Sequence, residues 1–153
     1  MHIRSYQPQD SEGVKELISS IMGKEFAEEA KAYQYNDLND ISNAYGNLRE
    51  KFIVAEEDGK IIGTVGIKED GENTALLRRL FVHPSHRGRE IGSMLIDTAE
   101  DFCKMNHFKE VSFRATSRMA AALKLLTVKK GFQEIQRCFF ENLEIVILSY
   151  KLN

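Results

Sequence analysis

Cysteine and proline are scarce in this chain of 153 residues, and neither sign of charge dominates it. The two cysteines, Cys103 and Cys138, argue against a disulfide framework or a metal knuckle. Their neighbours Phe102, Phe139 and Phe140 predict two buried thiols. We therefore expect a reducing, cytoplasmic setting and no metal site.

The chain also lacks a basic excess and a long apolar run. Its 21 Lys and Arg residues stand against 23 Asp and Glu, which gives a formal net charge of -2. Binders of nucleic acid or membrane surfaces usually carry a net basic charge, so any anion site here must be local. No stretch approaches the roughly 20 apolar residues of a membrane span, and residues 1–9 lack an apolar signal segment. The sequence predicts a soluble, unexported protein with no nucleic-acid and no membrane partner.

The only prolines, Pro8 and Pro84, each follow a short extended segment, and no linker divides the chain. A chain of this length can bury the core of one domain. We expect residues 1–153 to form a single domain.

Hydrophobic periodicity predicts the element order β-α-α-β-β-β-α-β-α-β-β. Strands are expected over residues 2–6, 52–57, 61–67, 75–82, 111–115, 132–140 and 145–152. Helices are expected over residues 14–22, 38–48, 91–105 and 117–130, the first capped by Asp10 or Ser11 and the second entered at Asn36 or Asp37. Asp58-Gly59 predicts a tight turn between the second and third strands. Residues 24–35 carry only a weak signal.

One glycine- and arginine-rich turn joins the strand at 75–82 to the helix at 91–105; it reads His86-Arg87-Gly88-Arg89-Glu90-Ile91-Gly92-Ser93. Backbone N–H groups at a helix start are unpaired and lie at the positive end of the helix dipole. Gly88 and Gly92 allow a phosphate to approach closely, and Arg87 and Arg89 can add charge-assisted hydrogen bonds. The turn is typical of a diphosphate site, and the alternative is an exposed helix start with solvated charges.

Two common phosphate fingerprints, G-x-x-x-x-G-K-[ST] and G-x-G-x-x-G, are absent. Residues 87–92 instead resemble the acetyl-CoA loop Q/R-x-x-G-x-G/A of the GNAT superfamily of N-acetyltransferases, except that Glu90 stands where the central glycine usually does. Residues 76–84 resemble the family's fourth strand, and Lys129-Lys130-Gly131-Phe132 resembles its K-x-G-F segment. The chain is thus similar, over nearly its whole length, to the small single-domain bacterial-type acetyltransferases.

The resemblance implies an α/β (α+β) GNAT fold, in which a mixed, mostly antiparallel central sheet of about seven strands is flanked by about four helices and splayed between strands 4 and 5. It also implies acetyl-CoA as cosubstrate, with the pantetheine arm on the exposed fourth-strand backbone and the pyrophosphate on the loop. The implied cofactor-binding residues are Leu80, Phe81, Val82, Arg87, Gly88, Arg89, Glu90, Ile91, Gly92 and Ser93. We expect the Glu90 carboxylate to rotate outward.

The implied reaction is acyl-CoA-dependent transfer of an acetyl group to a primary amine of a small molecule or peptide, by direct attack on the thioester. Thr127 stands where the family often has a tyrosine acid, and it is either a weak catalytic candidate or an ordinary helix residue. Ser112 replaces a glutamate that some relatives keep. The remaining base candidates, or solvated surface groups, are Glu56, Glu57, His83 and Glu141.

Substrate contacts are expected from Tyr33, Tyr35 and Tyr45, which fall where the family builds its acceptor pocket and which can also be packing residues. Arg78 and Arg79 are neighbours in a strand and should face opposite sides, with one at the cleft or paired at the surface with an early glutamate.

Glu90, Thr127 and the missing base leave a second functional interpretation, a catalytically weak CoA-binding or regulatory module. The sequence also leaves open whether the chain forms a homodimer through its last strands.

Overall fold

Seven strands form one sheet in the order β1-β2-β3-β4-β5-β7-β6, and the computed structural model describes residues 1–153. The strands are β1 (His2–Ser5), β2 (Lys51–Glu57), β3 (Lys60–Glu69), β4 (Thr74–Val82), β5 (Glu110–Thr116), β6 (Gln133–Phe140) and β7 (Leu143–Lys151). Every neighbouring pair is antiparallel except β4 and β5, which run parallel. The predicted mixed, mostly antiparallel sheet is confirmed.

Helices cover both faces of this sheet. They are α1 (Ser11–Glu25), α2 (Ala27–Ala32), α3 (Asn36–Asn39), α4 (Ile41–Ala44), α5 (Ile91–Met105) and α6 (Ala120–Lys124), the last continued by a π-helical turn (Leu125–Lys129). Short 3-10 turns span Pro8–Asp10 and Pro84–His86. No helix has both the length and the apolar character that crossing a membrane requires.

The two faces of the sheet hold two separate cores, as the alternation along β2 illustrates. Ile53 and Ala55 pack with α5, whereas Phe52 and Val54 pack with α1 and with residues of α3 and α4. Strand side chains point alternately to opposite faces, so one apolar strand supplies both cores. The α1–α4 face and the α5–α6 face are therefore distinct environments.

Several predicted elements differ from the structure. The final helix begins at Ala120 instead of residue 117, and the expected helix over 38–48 is two four-residue helices. Residues 27–32, which gave a weak signal, form α2. Leu48 lies outside any helix and is 96% exposed.

The two cysteines also differ from one another, and the prediction that both are buried is wrong for Cys138. Cys138 is exposed on β6, every residue of which is exposed at the edge of the sheet. Cys103 is buried in the α5 core, and burial raises the pKa of its thiol to about 12. Such a thiol is a packing group, as the sequence predicts.

Strands β4 and β5 separate after four residue pairs. Their pairing runs from Thr74 with Glu110 to Leu77 with Phe113, while both strands continue further. We call the point after Leu77 and Phe113 the fork. The predicted splay between strands 4 and 5 is confirmed.

A bulge in β4 follows directly after the fork. The register of β3 with β4 shifts between Thr64 and Gly66, and opposite this shift Arg79 has a left-handed φ of 56°. The buried Thr64 hydroxyl donates a hydrogen bond of 2.7 Å to the Arg79 carbonyl and so stabilises the bulge.

The bulge changes which face each side chain of β4 occupies. Leu77 and Leu80 both pack on the α5 side, so the two residues between them lie on the α1–α4 side. Arg79 contacts Asp37 there, and Arg78 lies close enough to help lower the pKa of Asp37. The expectation that the two arginines face opposite sides is wrong, because it assumed an unbroken strand.

Candidate functional site

A cavity of about 660 Å³ opens at the fork. A second cavity of about 370 Å³ lies at the start of α5, and the two share five lining residues, so they form one groove. The shared residues are Val82, Arg87, Gly92, Ala121 and Leu125. Other residues of the larger cavity include Glu25, Phe26, Tyr33, Arg78, Leu80, Phe81, Arg114 and Met119.

The strand wall of the groove is the part of β4 beyond the fork. Leu80, Phe81 and Val82 all line the larger cavity and have no strand partner on the β5 side. An extended guest chain can pair with such an exposed strand edge. These are the three β4 residues that the sequence predicts for cofactor binding.

The start of α5 offers a row of free donors. No backbone N–H group from residue 88 to residue 93 donates a hydrogen bond to any protein group. Gly88 takes a left-handed φ of 81°, which turns the chain into the 15-residue helix. Unpaired N–H groups at the positive end of a long helix fit a pyrophosphate.

The arginines of this loop are held in ion pairs. Arg87 donates two hydrogen bonds to the Glu25 carboxylate at 2.8 and 2.9 Å, and its Nε donates to the Val82 carbonyl at 3.1 Å. Arg89 donates to Glu57 at 2.9 and 2.7 Å, and this contact holds the pKa of Glu57 at about 2. Arg87 lines both cavities and Arg89 lines neither.

Glu90 occupies a position that favours glycine. Its φ is 63°, in the left-handed region where a side chain costs about 1–2 kcal/mol. Its carboxylate accepts two hydrogen bonds from Lys129 Nζ, at 2.6 and 2.5 Å, which offsets its charge. Both residues line the smaller cavity. The backbone conformation accounts for the glycine in the family's loop pattern.

The remaining loop residues pack or line the smaller cavity. Ile91 is buried in the α5 core, and Gly92 and Ser93 line the cavity. A Cβ atom on Gly92 would lie 3.2 Å from Leu125 Cδ2, so this glycine allows α5 to approach the π-helical turn closely.

The three tyrosines predicted as substrate contacts occupy different places. Tyr33 lines the larger cavity, and burial raises the pKa of its hydroxyl. The Arg79 guanidinium lies 5.5 Å from the ring centre of Tyr35. Tyr45 is buried in the core, 5.1 Å from Phe52 between ring centres, and does not line the cavity.

Arg79 links the sheet to the 26–45 segment, by which we mean residues 26–45 and thus α2, α3 and α4. It donates to the Asp37 carboxylate at 3.0 and 2.6 Å and to the Gln34 carbonyl at 2.7 Å. Tyr45 Oη donates to Asp37 at 2.7 Å. Arg79 is thus buried and paired with Asp37, and the expectation of a surface pairing with a glutamate is wrong for it.

Opposing effects set the pKa of Asp37. Burial alone would raise it, but the hydrogen bonds from Arg79 and Tyr45 outweigh burial and hold it below its ordinary value. The carboxylate therefore stays charged. Sequence reasoning missed this residue, which carried only a weak helix-start signal.

Glu29 is a second residue that the sequence did not reveal. It is fully buried on α2, and its Oε2 accepts a hydrogen bond of 2.6 Å from the Thr116 hydroxyl at the end of β5. Oε1 has no hydrogen bond, and the nearest cationic nitrogen, Arg118 Nη1, lies 3.7 Å away. A glutamate in an alanine-rich polar stretch gives no pattern from which this burial could be predicted.

The predicted catalytic candidates lie outside the larger cavity. Thr127 Oγ1 donates 2.8 Å to the Leu123 carbonyl, as ordinary helix threonines do. Glu56 pairs with Arg4, Glu57 with Arg89, and the His83 ring accepts from the Ser85 N–H. Glu141 lies in the turn between β6 and β7, and Ser112 is on β5. The groups in the larger cavity that can exchange a proton are the Tyr33 hydroxyl and the Glu25 carboxylate.

Comparison with known proteins identifies a matching family. Residues 12–132 match the family described as "Acetyltransferase (GNAT) family". The chain is 34% identical over 113 residues to "Probable N-acetyltransferase camello" of Xenopus tropicalis, which covers 72% of this chain and 51% of the relative. The chain spans about half the length of the curated relatives it matches.

Two solved structures share the fold. A GNAT-family acetyltransferase from Staphylococcus aureus Mu50 superposes with a TM-score of 0.86 at 24% identity, over 99% of each chain. The protein yncA from Salmonella typhimurium, determined with its cofactor acetyl-CoA, superposes with a TM-score of 0.80 at 19% identity, over 99% of this chain and 94% of the other. Since the family match spans most of its length and its sheet has the splayed arrangement expected from the resemblance, this chain belongs to the acetyltransferase (GNAT) family.

Proposed function

We propose that this protein binds acetyl-CoA in the groove and transfers the acetyl group to a primary amine by direct attack on the thioester. The observation that carries the proposal is the row of free backbone N–H groups at residues 88–93, which is continuous with the open edge of β4. A helix start supplies the anion site and the strand edge supplies the amide pairing, in the order that a long thioester cofactor needs.

Each wall of the groove has a part in this proposal. The backbone at residues 88–93 holds the pyrophosphate, and the backbone of Leu80 to Val82 pairs with the pantetheine arm. Acetyl-CoA supplies an acyl group already activated as a thioester. The amine enters from the α1–α4 face, where Tyr33 lines the cavity. Because the β4 edge fixes the cofactor arm, a bound amine beside it is already positioned for attack, and little further entropy is lost in reaching the transition state.

Calorimetric titration with acetyl-CoA, followed by measurement of thiol release against a panel of amines, tests the proposal. We expect saturable binding and turnover of at least one amine. Replacement of Arg87 by alanine should weaken acetyl-CoA binding about three- to tenfold through the lost charge-assisted contact. Arg137→Ala is the matched control, since Arg137 is also exposed and ion-paired but lies on β6, away from the groove. Failure of the unmodified protein to bind acetyl-CoA would contradict the proposal.

A catalytically weak CoA-binding or regulatory module is the second candidate. Its support is that Thr127 and the predicted base candidates lie outside the larger cavity. This alternative predicts acetyl-CoA binding with no thiol release on any amine. The amine panel therefore separates the two functions. The cytoplasmic location, the single domain and the homodimer stay predictions.

A further inference from the structure

Two arginines follow the fork, one on each strand. The last paired residues of β4 and β5 are Leu77 and Phe113, so the next residue on each strand is Arg78 and Arg114. These two residues directly follow the last paired position, where the strands begin to separate.

Both side chains point to the same face. Leu77 and Phe113 belong to the core on the α5 side, and alternation along a strand sends the following residues to the α1–α4 side. Arg78 and Arg114 both line the larger cavity. They lie on the face where Tyr33 also lines it.

Neither arginine donates a hydrogen bond to a carboxylate. Arg78 makes no ion pair, and the Asp37 carboxylate in its vicinity is engaged by Arg79. The carboxylate nearest to Arg114 is that of Asp70, at 3.7 Å, which is too long for a hydrogen bond, and both side chains are about half exposed.

The other arginines of the cavity behave differently. Arg79 and Arg87 each donate two hydrogen bonds to a protein carboxylate. Arg78 and Arg114 instead keep their hydrogen-bond donors free of protein carboxylates, so they are available to a bound anion.

We propose that Arg78 and Arg114 bind a carboxylate of the acceptor, so that the acceptor is an amino acid or a similar compound with both an amine and a carboxylate. This inference rests on the proposed acetyl transfer. A guanidinium group can donate two parallel hydrogen bonds to the two oxygens of a planar carboxylate. A neutral amine or amide does not offer this pair of charged acceptors. In the reaction the amine nitrogen bonds to the acetyl carbon, the carbon–sulfur bond breaks, and the proton lost by the amine balances the charge of the departing thiolate.

Matched acceptors test the inference directly. We would measure kcat/KM by thiol release for the common α-amino acids, for their α-amides and for the corresponding decarboxylated amines. For the preferred amino acid, kcat/KM of the acid should exceed kcat/KM of its amide by about tenfold or more, which is the scale of one charge-assisted contact.

Variants connect this preference to the two arginines. Arg78→Gln and Arg114→Gln should each lower kcat/KM for the acid about tenfold, mainly through KM, and leave the amide within about twofold. Arg78→Lys should restore part of the loss, because it keeps the charge without the planar geometry. Calorimetric affinity for acetyl-CoA should remain unchanged in all three variants, which also shows that they are folded.

The outcomes separate the inference from the proposed function. Equal turnover of acids and amides, or loss of acetyl-CoA affinity in the arginine variants, overturns the carboxylate site and leaves acetyl transfer standing. A preference for O-phosphoethanolamine over β-alanine overturns the carboxylate assignment in favour of a phosphate. If acetyl-CoA binds but no amine is acetylated, calorimetry can compare the affinities of the CoA complex for the acids and for their amides. Equal affinities overturn the inference. No acetyl-CoA binding at all contradicts the proposed function itself.

Discussion

The 87–93 loop and the 26–45 segment flank the same groove but are built on different principles. In the loop, the free groups are backbone N–H donors, while the side chains of Arg87, Arg89 and Glu90 are engaged in ion pairs. In the segment, the backbone forms short helices, and the contacts of Asp37 with Tyr45 and with Arg79 hold the segment against the sheet. Side-chain changes should therefore have smaller energetic effects in the loop than in the segment, and the following predictions test this contrast.

The largest effect is expected from Asp37→Ala. It leaves the buried Arg79 guanidinium without its carboxylate, and breaking a buried pair in this way costs about 3–5 kcal/mol. Urea unfolding of the variant measures the loss. The double variant Asp37→Leu with Arg79→Met is the control, because it removes both charges and should recover most of the stability. A loss below about 1 kcal/mol in the single variant would contradict the proposed anchoring role.

The same pair predicts a dependence of stability on pH. The pKa of Asp37 is lowered in the folded state, so its contribution is complete above the unfolded value of about 3.9 and disappears as the pH falls through the folded pKa. Unfolding free energies measured between about pH 6 and pH 2 should fall less steeply for Asp37→Asn than for the unmodified protein. Parallel curves for the two proteins would contradict this assignment.

A proline substitution tests the backbone side of the comparison. Ser93→Pro removes one of the free N–H groups, and proline is tolerated in the first turn of a helix. Acetyl-CoA affinity should fall about tenfold, since a hydrogen bond to a charged group is lost. Ser93→Ala removes only the hydroxyl and should stay within about twofold. If the alanine variant loses as much as the proline variant, the side chain is the binding group and the contrast fails.

A smaller effect is expected at Glu90. Glu90→Gly should raise acetyl-CoA affinity about two- to fivefold, because it removes a carboxylate from the anion site, frees Lys129 and relieves the left-handed strain. Glu90→Gln removes the charge but keeps the strain. Calorimetry on both variants shows how much of the gain in affinity comes from removing the charge and how much from relieving the strain. An unchanged or weaker affinity in the glycine variant would contradict the prediction.

The smallest effect is expected from Thr127→Val, which keeps the size of the side chain and removes its hydroxyl. That hydroxyl donates to the Leu123 carbonyl, and Thr127 lines neither cavity. We expect kcat to change less than about twofold. A fall of more than about tenfold would instead support the tyrosine-like role that the family resemblance raises.

Much of the fold could be predicted because its signals are local. The Asp58-Gly59 turn takes positive φ angles of 53° and 77° between β2 and β3, as the dipeptide predicts. The apolar spacing of α1 and α5 identified both long helices. The free N–H donors of the loop at residues 87–93 could be predicted for the same reason, since a helix start leaves its first N–H groups unpaired whatever its side chains are.

The rest depends on contacts between distant residues. The Arg79 bulge accepts a hydrogen bond from the hydroxyl of Thr64 on another strand, and no pattern within β4 predicts the bulge. The 26–45 segment is fixed by Asp37, which meets Arg79 from 42 positions away in the sequence. Glu29 meets Thr116 across 87 positions. Such pairings have no periodicity, so the sequence suggested tyrosines there and not the carboxylates that organise the segment.

The Arg79–Asp37–Tyr45 contacts set a condition for transplanting specificity between relatives. A 26–45 segment taken from another protein would bring new groups to the groove, but the recipient sheet would still present the buried Arg79 guanidinium. A graft with an acidic residue at position 37 and a hydroxyl donor at position 45 should dock in the original orientation. One without them would leave a cation facing an apolar interior, and the exchange would fail in folding before its new specificity could be measured.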